Sequence, residues 1–151
     1  MADNHTANAS IRIHASADTV LSAFTEADKM SQFWFTRSDN GMEVGKTVAF
    51  QLGSGEDAFS FDVLVKELDF PDKLVIEWQG PDGYYTQVSW TCTETNGSTV
   101  LSIEESGFAG DPDNIVARAI DSTGGFNQVI IAAKAFIEHR VSINVVADHA
   151  V

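Results

Sequence analysis

The spacing of apolar residues changes twice along the chain. Ile11 and Ile13 alternate with Arg12 and His14, the period of two that marks a half-buried strand. Ser16 follows as a helix N-cap, and Val20, Leu21, Ala23 and Phe24 then recur at helical spacing. Thr25 is placed to cap a second short helix that ends in Met30, Phe33, Trp34 and Phe35. From Gly45 the period becomes two. Val48, Phe50 and Leu52 share a face, as do Phe59, Phe61, Val63 and Val65, then Leu74, Ile76 and Trp78. Thr86, Val88, Trp90 and Cys92 share the next face, and Thr99, Leu101, Ile103 and Glu105 the last. Turn signals separate these runs: Gly53-Ser54-Gly55, Phe70-Pro71-Asp72-Lys73, Pro81-Asp82-Gly83 and Asn96-Gly97.

After Gly107 the helical period returns. Asp111-Pro112-Asp113 reads as a helix start. The pattern predicts a short segment over Ile115 to Ile120 that ends near Gly124-Gly125. A longer helix near 124–141 then carries Phe126, Val129, Ile130, Ala133 and Ile137 on one face. A meander of about six or seven strands exposes one apolar face that must be covered. The long C-terminal helix is the amphipathic element left to cover it, and a twisted sheet curls around such a helix as it grows. The fold class is therefore α+β, a curved antiparallel sheet around a long C-terminal helix, with two short helices after the first strand.

Composition narrows the function. The 151 residues fit one domain, and a core of that size needs no disulfide or metal staple. Cys92, the one cysteine, cannot pair within the chain. The net charge of −13, with 9 basic against 22 acidic residues, repels phosphate backbones and argues against nucleic acid as a partner. No apolar run approaches the length of a membrane span, and Met1 to Ser10 does not resemble a signal peptide, so the expected location is cytoplasmic.

Signatures of metal, phosphate, dinucleotide or nucleophile chemistry are missing, so no catalytic residue, metal ligand or cofactor is assigned. Asp111 to Asn114 resembles the start of a calcium loop, but Val116 stands where such a loop requires Gly. Two signals remain. Glu105 shares the phase of Leu101 and Ile103 and should face the concave side, where a carboxylate must be hydrogen-bonded or act on a ligand. A local bulge would turn it out to solvent. Trp34, Phe61, Trp78, Trp90 and Phe126, with Ile130, also fall in interior phases. They are core residues or the lining of an apolar pocket.

Order and motifs together resemble a known group. Val20-Leu21-Ser22-Ala23-Phe24-Thr25, the Phe33-Trp34 pair and Leu74-Val75-Ile76-Glu77-Trp78 are similar to motifs of one family of the START-like (SRPBCC) superfamily. Glu104-Glu105-Ser106-Gly107-Phe108 and Gly125-Phe126 through His139 extend the likeness. That superfamily also holds the birch-pollen allergen and the polyketide cyclases. The family is the one named for homologues of the heat-shock-protein-ninety ATPase activator. Phe126 departs from its usual Trp, and Arg140 from its frequent helix-ending Gly. The resemblance implies a helix-grip fold as a single domain over 1–151, with an ordered core of about residues 9–147. It also implies a pocket between sheet and helix for a small hydrophobic or amphipathic ligand, lined by Trp34, Phe61, Trp78, Trp90, Glu105, Phe126 and Ile130. The alternatives are a cofactor-independent cyclase or hydrolase using Glu105, and a co-chaperone-like interaction module; a homodimer is compatible with each.

Overall fold

The computed structural model describes residues 5–36, 42–52, 56, 59–80 and 83–148. The turns expected at Gly53-Ser54-Gly55 and at Pro81-Asp82 lie outside the described residues. Strand β1 (Ala7–Ile13) leads into helices α1 (Ala17–Thr25) and α2 (Ala27–Met30). Strands β2 (Thr47–Leu52), β3 (Phe59–Asp69), β4 (Lys73–Gln79), β5 (Tyr85–Thr95) and β6 (Ser98–Ser106) follow, and helix α3 (Pro112–His139) closes the chain. The six strands form one antiparallel sheet in the order β1-β6-β5-β4-β3-β2. Consecutive strands β2 to β6 are neighbours, and β1 adds at the edge of β6.

On β5 and β6 the alternation read from the sequence is the alternation of burial. On β4, by contrast, Leu74, Val75 and Ile76 are buried in succession, and on β3 Phe59, expected on the face of Val63 and Val65, is exposed. Thr86, Val88, Trp90 and Cys92 on β5 are buried, as are Thr99, Leu101, Ile103 and Glu105 on β6. Asn96 and Gly97 take φ of 53° and 82°, the paired positive angles of a type I′ turn, and Thr95 pairs with Ser98 across it. The Ser16 side chain accepts from the Thr19 N–H and caps α1. Thr25 does not cap α2. It is the last residue of α1, and Glu26 stands at the α2 start without a side-chain cap.

Helix α3 corrects a sequence expectation. It runs unbroken for 28 residues, where the sequence reading places a break near Gly124-Gly125. Glycine in a helix interior costs about 0.5–1 kcal/mol relative to alanine. The buried residues of the helix, from Ala119 through Phe126 to Ala133, lie on both sides of the glycine pair, and their packing outweighs that local preference. At its start the Asp111 carboxylate accepts from the Asn114 N–H and caps the helix, as the helix start read at Asp111-Pro112-Asp113 implies. At its end Arg140 takes φ 57°, the left-handed cap conformation for which Gly is usual.

The C-terminal half of α3 is tied to the end of β1 by one carboxylate. The Glu138 Oε2 accepts from Lys134 Nζ at 2.6 Å and from the His14 N–H at 2.9 Å, while Lys134 also donates to the Arg12 carbonyl at 2.6 Å. The Lys134 hydrogen bond, joined by that from His14, holds the Glu138 carboxyl below its ordinary 4.5. A carboxyl depressed in the folded state stabilises the fold fully above its unfolded value, and the contribution fades as pH falls through the folded one. Glu138→Gln is therefore expected to lower the urea midpoint at neutral pH. Its deficit against wild type should shrink steadily below about pH 4.5. A deficit that stays constant with pH would mean that the carboxylate's charge plays no part.

No helix among the described residues is long and apolar enough to cross a membrane.

Candidate functional site: a buried carboxylate in an aromatic wall

The site begins with an uninterrupted strand register. Glu105 pairs with Ala7 on β1 and Val88 on β5, and neither ladder shifts near it. Its direction is therefore set by the pleat, and it points with Leu101 and Ile103 to the buried face. Two residues later Gly107 takes φ of 92° and turns the chain away from the sheet. Glu105 is only 1% exposed.

A buried carboxylate needs donors, and the next two strands across the sheet, β5 and β4, supply them. Trp78 on β4 and Thr86 on β5 are directly paired. The Trp78 Nε1–H donates to Glu105 Oε2 at 2.9 Å, and the Thr86 hydroxyl donates to the same oxygen at 2.5 Å. The other oxygen, Oε1, has no partner among the described residues. The same holds for the indole nitrogen of Trp90. Such orphaned buried groups are uncommon and call for an explanation.

Two adjoining cavities lie between this end of the sheet and α3. The larger, of about 880 Å³, includes Phe61, Trp78, Glu105 and Arg118 in its wall. The smaller, of about 370 Å³, includes Trp34, Trp78, Phe126 and Val129. Phe35, Trp78, Asp121 and Ser122 belong to both. Trp78 stacks parallel to Phe126 at a centroid distance of 6.1 Å, and Trp34 meets both rings edge-on. At the rim stand the exposed rings of Phe59 and Tyr85, with Asp62 and Asp121 also exposed. Arg118 lies over the rings of Tyr84 and Phe108. A third depression, of about 540 Å³, is lined chiefly by the other face of the sheet, with Ser89, Thr91 and Ser102, and does not include Glu105.

The residues singled out from sequence thus fall into two groups. Trp34, Phe61, Trp78, Glu105 and Phe126 line the two cavities. Trp90 and Ile130 are buried outside their walls, Trp90 against the rings of Phe24 and Trp34. Thr86, Phe35, Arg118, Asp121 and Ser122 were not singled out. Thr86 carried a signal, since it shares the phase of Trp90. Arg118 lies within the short segment expected over Ile115 to Ile120, while Asp121 and Ser122 lie between it and the expected longer helix; on a continuous helix Ser122 lies in line with Phe126 and Val129.

Cys92 stands apart from this chemistry. Burial, with a smaller contribution from Asp72, pushes its thiol up to about 12. Such a thiol is a packing group rather than a nucleophile.

A curved antiparallel sheet gripping one long C-terminal helix, with two short helices after the first strand, is the helix-grip architecture of START-like proteins. The family model described as Activator of Hsp90 ATPase homolog 1-like protein matches residues 14–132. The chain belongs to that family. No curated protein matches it in sequence. Among solved structures it is similar to DynU16 of the dynemicin biosynthetic locus, with a TM-score of 0.76 and 20% identity over 93% of this chain. The chain spans about half, 49%, of the length of DynU16. The Aha1 dimer from Colwellia psychrerythraea has a TM-score of 0.70 and 20% identity, covering 89% of this chain and 96% of that one. CalU16 from Micromonospora echinospora has a TM-score of 0.69 and 15% identity, covering 90% and 83%. At these identities the likeness is one of fold.

Proposed function

We propose that the chain is a binding protein for a small hydrophobic or amphipathic molecule, held between the sheet and α3 with Trp34, Phe61, Trp78, Glu105 and Phe126 in its wall. The observation that carries this reading is the half-satisfied carboxylate of Glu105. Most buried carboxylates satisfy both oxygens, because burying an unpaired acceptor costs about 1–3 kcal/mol. Here one oxygen is fixed by two donors and the other is buried and left over, and Glu105 is among the residues that line a cavity of a size that suits small ligands. The wall combines aromatic rings with the exposed acids Asp62 and Asp121 at its rim, which suits an apolar body with a polar end. Native mass spectrometry of protein purified from its own host tests the reading. A compound that co-purifies and is displaced on unfolding supports it. An empty wild-type chain, together with no affinity for any small aromatic molecule, removes it.

A further inference from the structure

The binding reading leaves the ligand's chemistry open, and the asymmetry of Glu105 narrows it. Resting on that reading, we infer that the ligand is a planar aromatic molecule that presents an N–H or O–H donor to Glu105 Oε1. The wall offers ring faces and edges from Phe35, Phe61, Trp78 and Phe126, beside the polar groups of Arg118, Asp121 and Ser122. The polar requirement comes from the carboxylate. Trp78 Nε1 can only donate, and it donates to Oε2 together with Thr86. Oε1 is an acceptor with no donor of its own among the described residues. A ligand carboxylate, phosphate or carbonyl brought to it would set lone pairs against lone pairs. The chain's net charge of −13 disfavours an anion further.

The same geometry states what one substitution does. In Glu105→Gln the amide oxygen must stay on the Oε2 side, because the Trp78 N–H admits only an acceptor there. The amide nitrogen then occupies the place of Oε1. The substitution keeps shape and both internal hydrogen bonds but turns the leftover acceptor into a donor.

Indole and benzofuran test this directly. They are nearly isosteric, and differ in carrying a ring N–H or a ring oxygen. Calorimetric titration of the folded wild-type chain should show indole binding at least about tenfold more tightly, the factor expected for one hydrogen bond to a buried acceptor. The NMR signal of the Trp78 indole N–H should shift with indole, which places the probe at this carboxylate. In Glu105→Gln the preference for indole should disappear or invert. Equal affinities in wild type, or an indole preference that survives in Glu105→Gln, would overturn the donor requirement and leave the cavity reading intact. Binding of neither probe also overturns the inference, and the native mass spectrum then judges the cavity reading alone. If Glu105→Gln does not fold, the wild-type comparison decides.

Discussion

Trp90→Ala is expected to destabilise the protein by about 3–5 kcal/mol, the range for removing a large aromatic side chain from a packed core. Trp90 is 1% exposed, and its ring lies 5.8 Å from Phe24 and 6.0 Å from Trp34. Phe24 in turn meets Phe33 edge-on, so the hole left by the indole would open at the junction of α1, the Phe33-Trp34 segment and β5. The neighbours are held by separate elements and cannot all collapse into it. Trp90→Phe should cost clearly less. It keeps an aromatic ring and removes a buried N–H that has no partner among the described residues. Urea unfolding of both variants gives the two values, and calorimetry with an aromatic probe gives the affinity. A small loss of stability for Trp90→Ala joined to a large loss of affinity would show that Trp90 belongs to the ligand's surroundings instead of the packed core.

Thr86→Val is expected to cost about 1–3 kcal/mol although it barely changes shape, because it leaves a buried acceptor short of a donor. Thr86 is 2% exposed and its hydroxyl donates to Glu105 Oε2. Without it the carboxylate keeps Trp78 as its one donor among the described residues. The effect should depend on its partner. In a Glu105→Leu background the Thr86 hydroxyl has lost its acceptor, so removing it should be neutral or favourable. The coupling between the two positions is thus expected to be large, as for any pair in one hydrogen-bond network. It is measured as the difference between the double variant and the two single variants in urea unfolding. Additive costs would mean that the hydroxyl and the carboxylate do not depend on each other.

Both experiments separate packing from polar satisfaction, and the same separation divides what a local pattern encodes from what it does not. Strand phase follows from a period of two, and it puts Trp78, Thr86, Trp90 and Glu105 in the interior phases of their strands. Asn96-Gly97 fixed a hairpin, because few residues accept positive φ at two successive positions. The resemblance named the family that the matching model shows. The break expected at Gly124-Gly125 does not occur, because local propensity carries no information about the tertiary packing that buries residues on both sides of the glycine pair. Only the continuous helix brings Asp121 and Ser122 into one wall with Phe126.

By itself, then, the sequence determined which side each strand residue faces, where the chain turns, and that one long helix must cover the apolar face. These are consequences of local periodicity and backbone preference. Tertiary structure alone decided which interior aromatics pack solidly and which border a cavity. Trp90 and Trp78 share the interior phase, yet one is enclosed by Phe24 and Trp34 and the other stands beside open volume. It also decided that Trp78 and Thr86 spend their donors on the same oxygen of Glu105. That outcome depends on the register of three strands and the curvature of the sheet, which bring together side chains 27 and 19 residues apart in sequence. No local pattern encodes a distance of that kind.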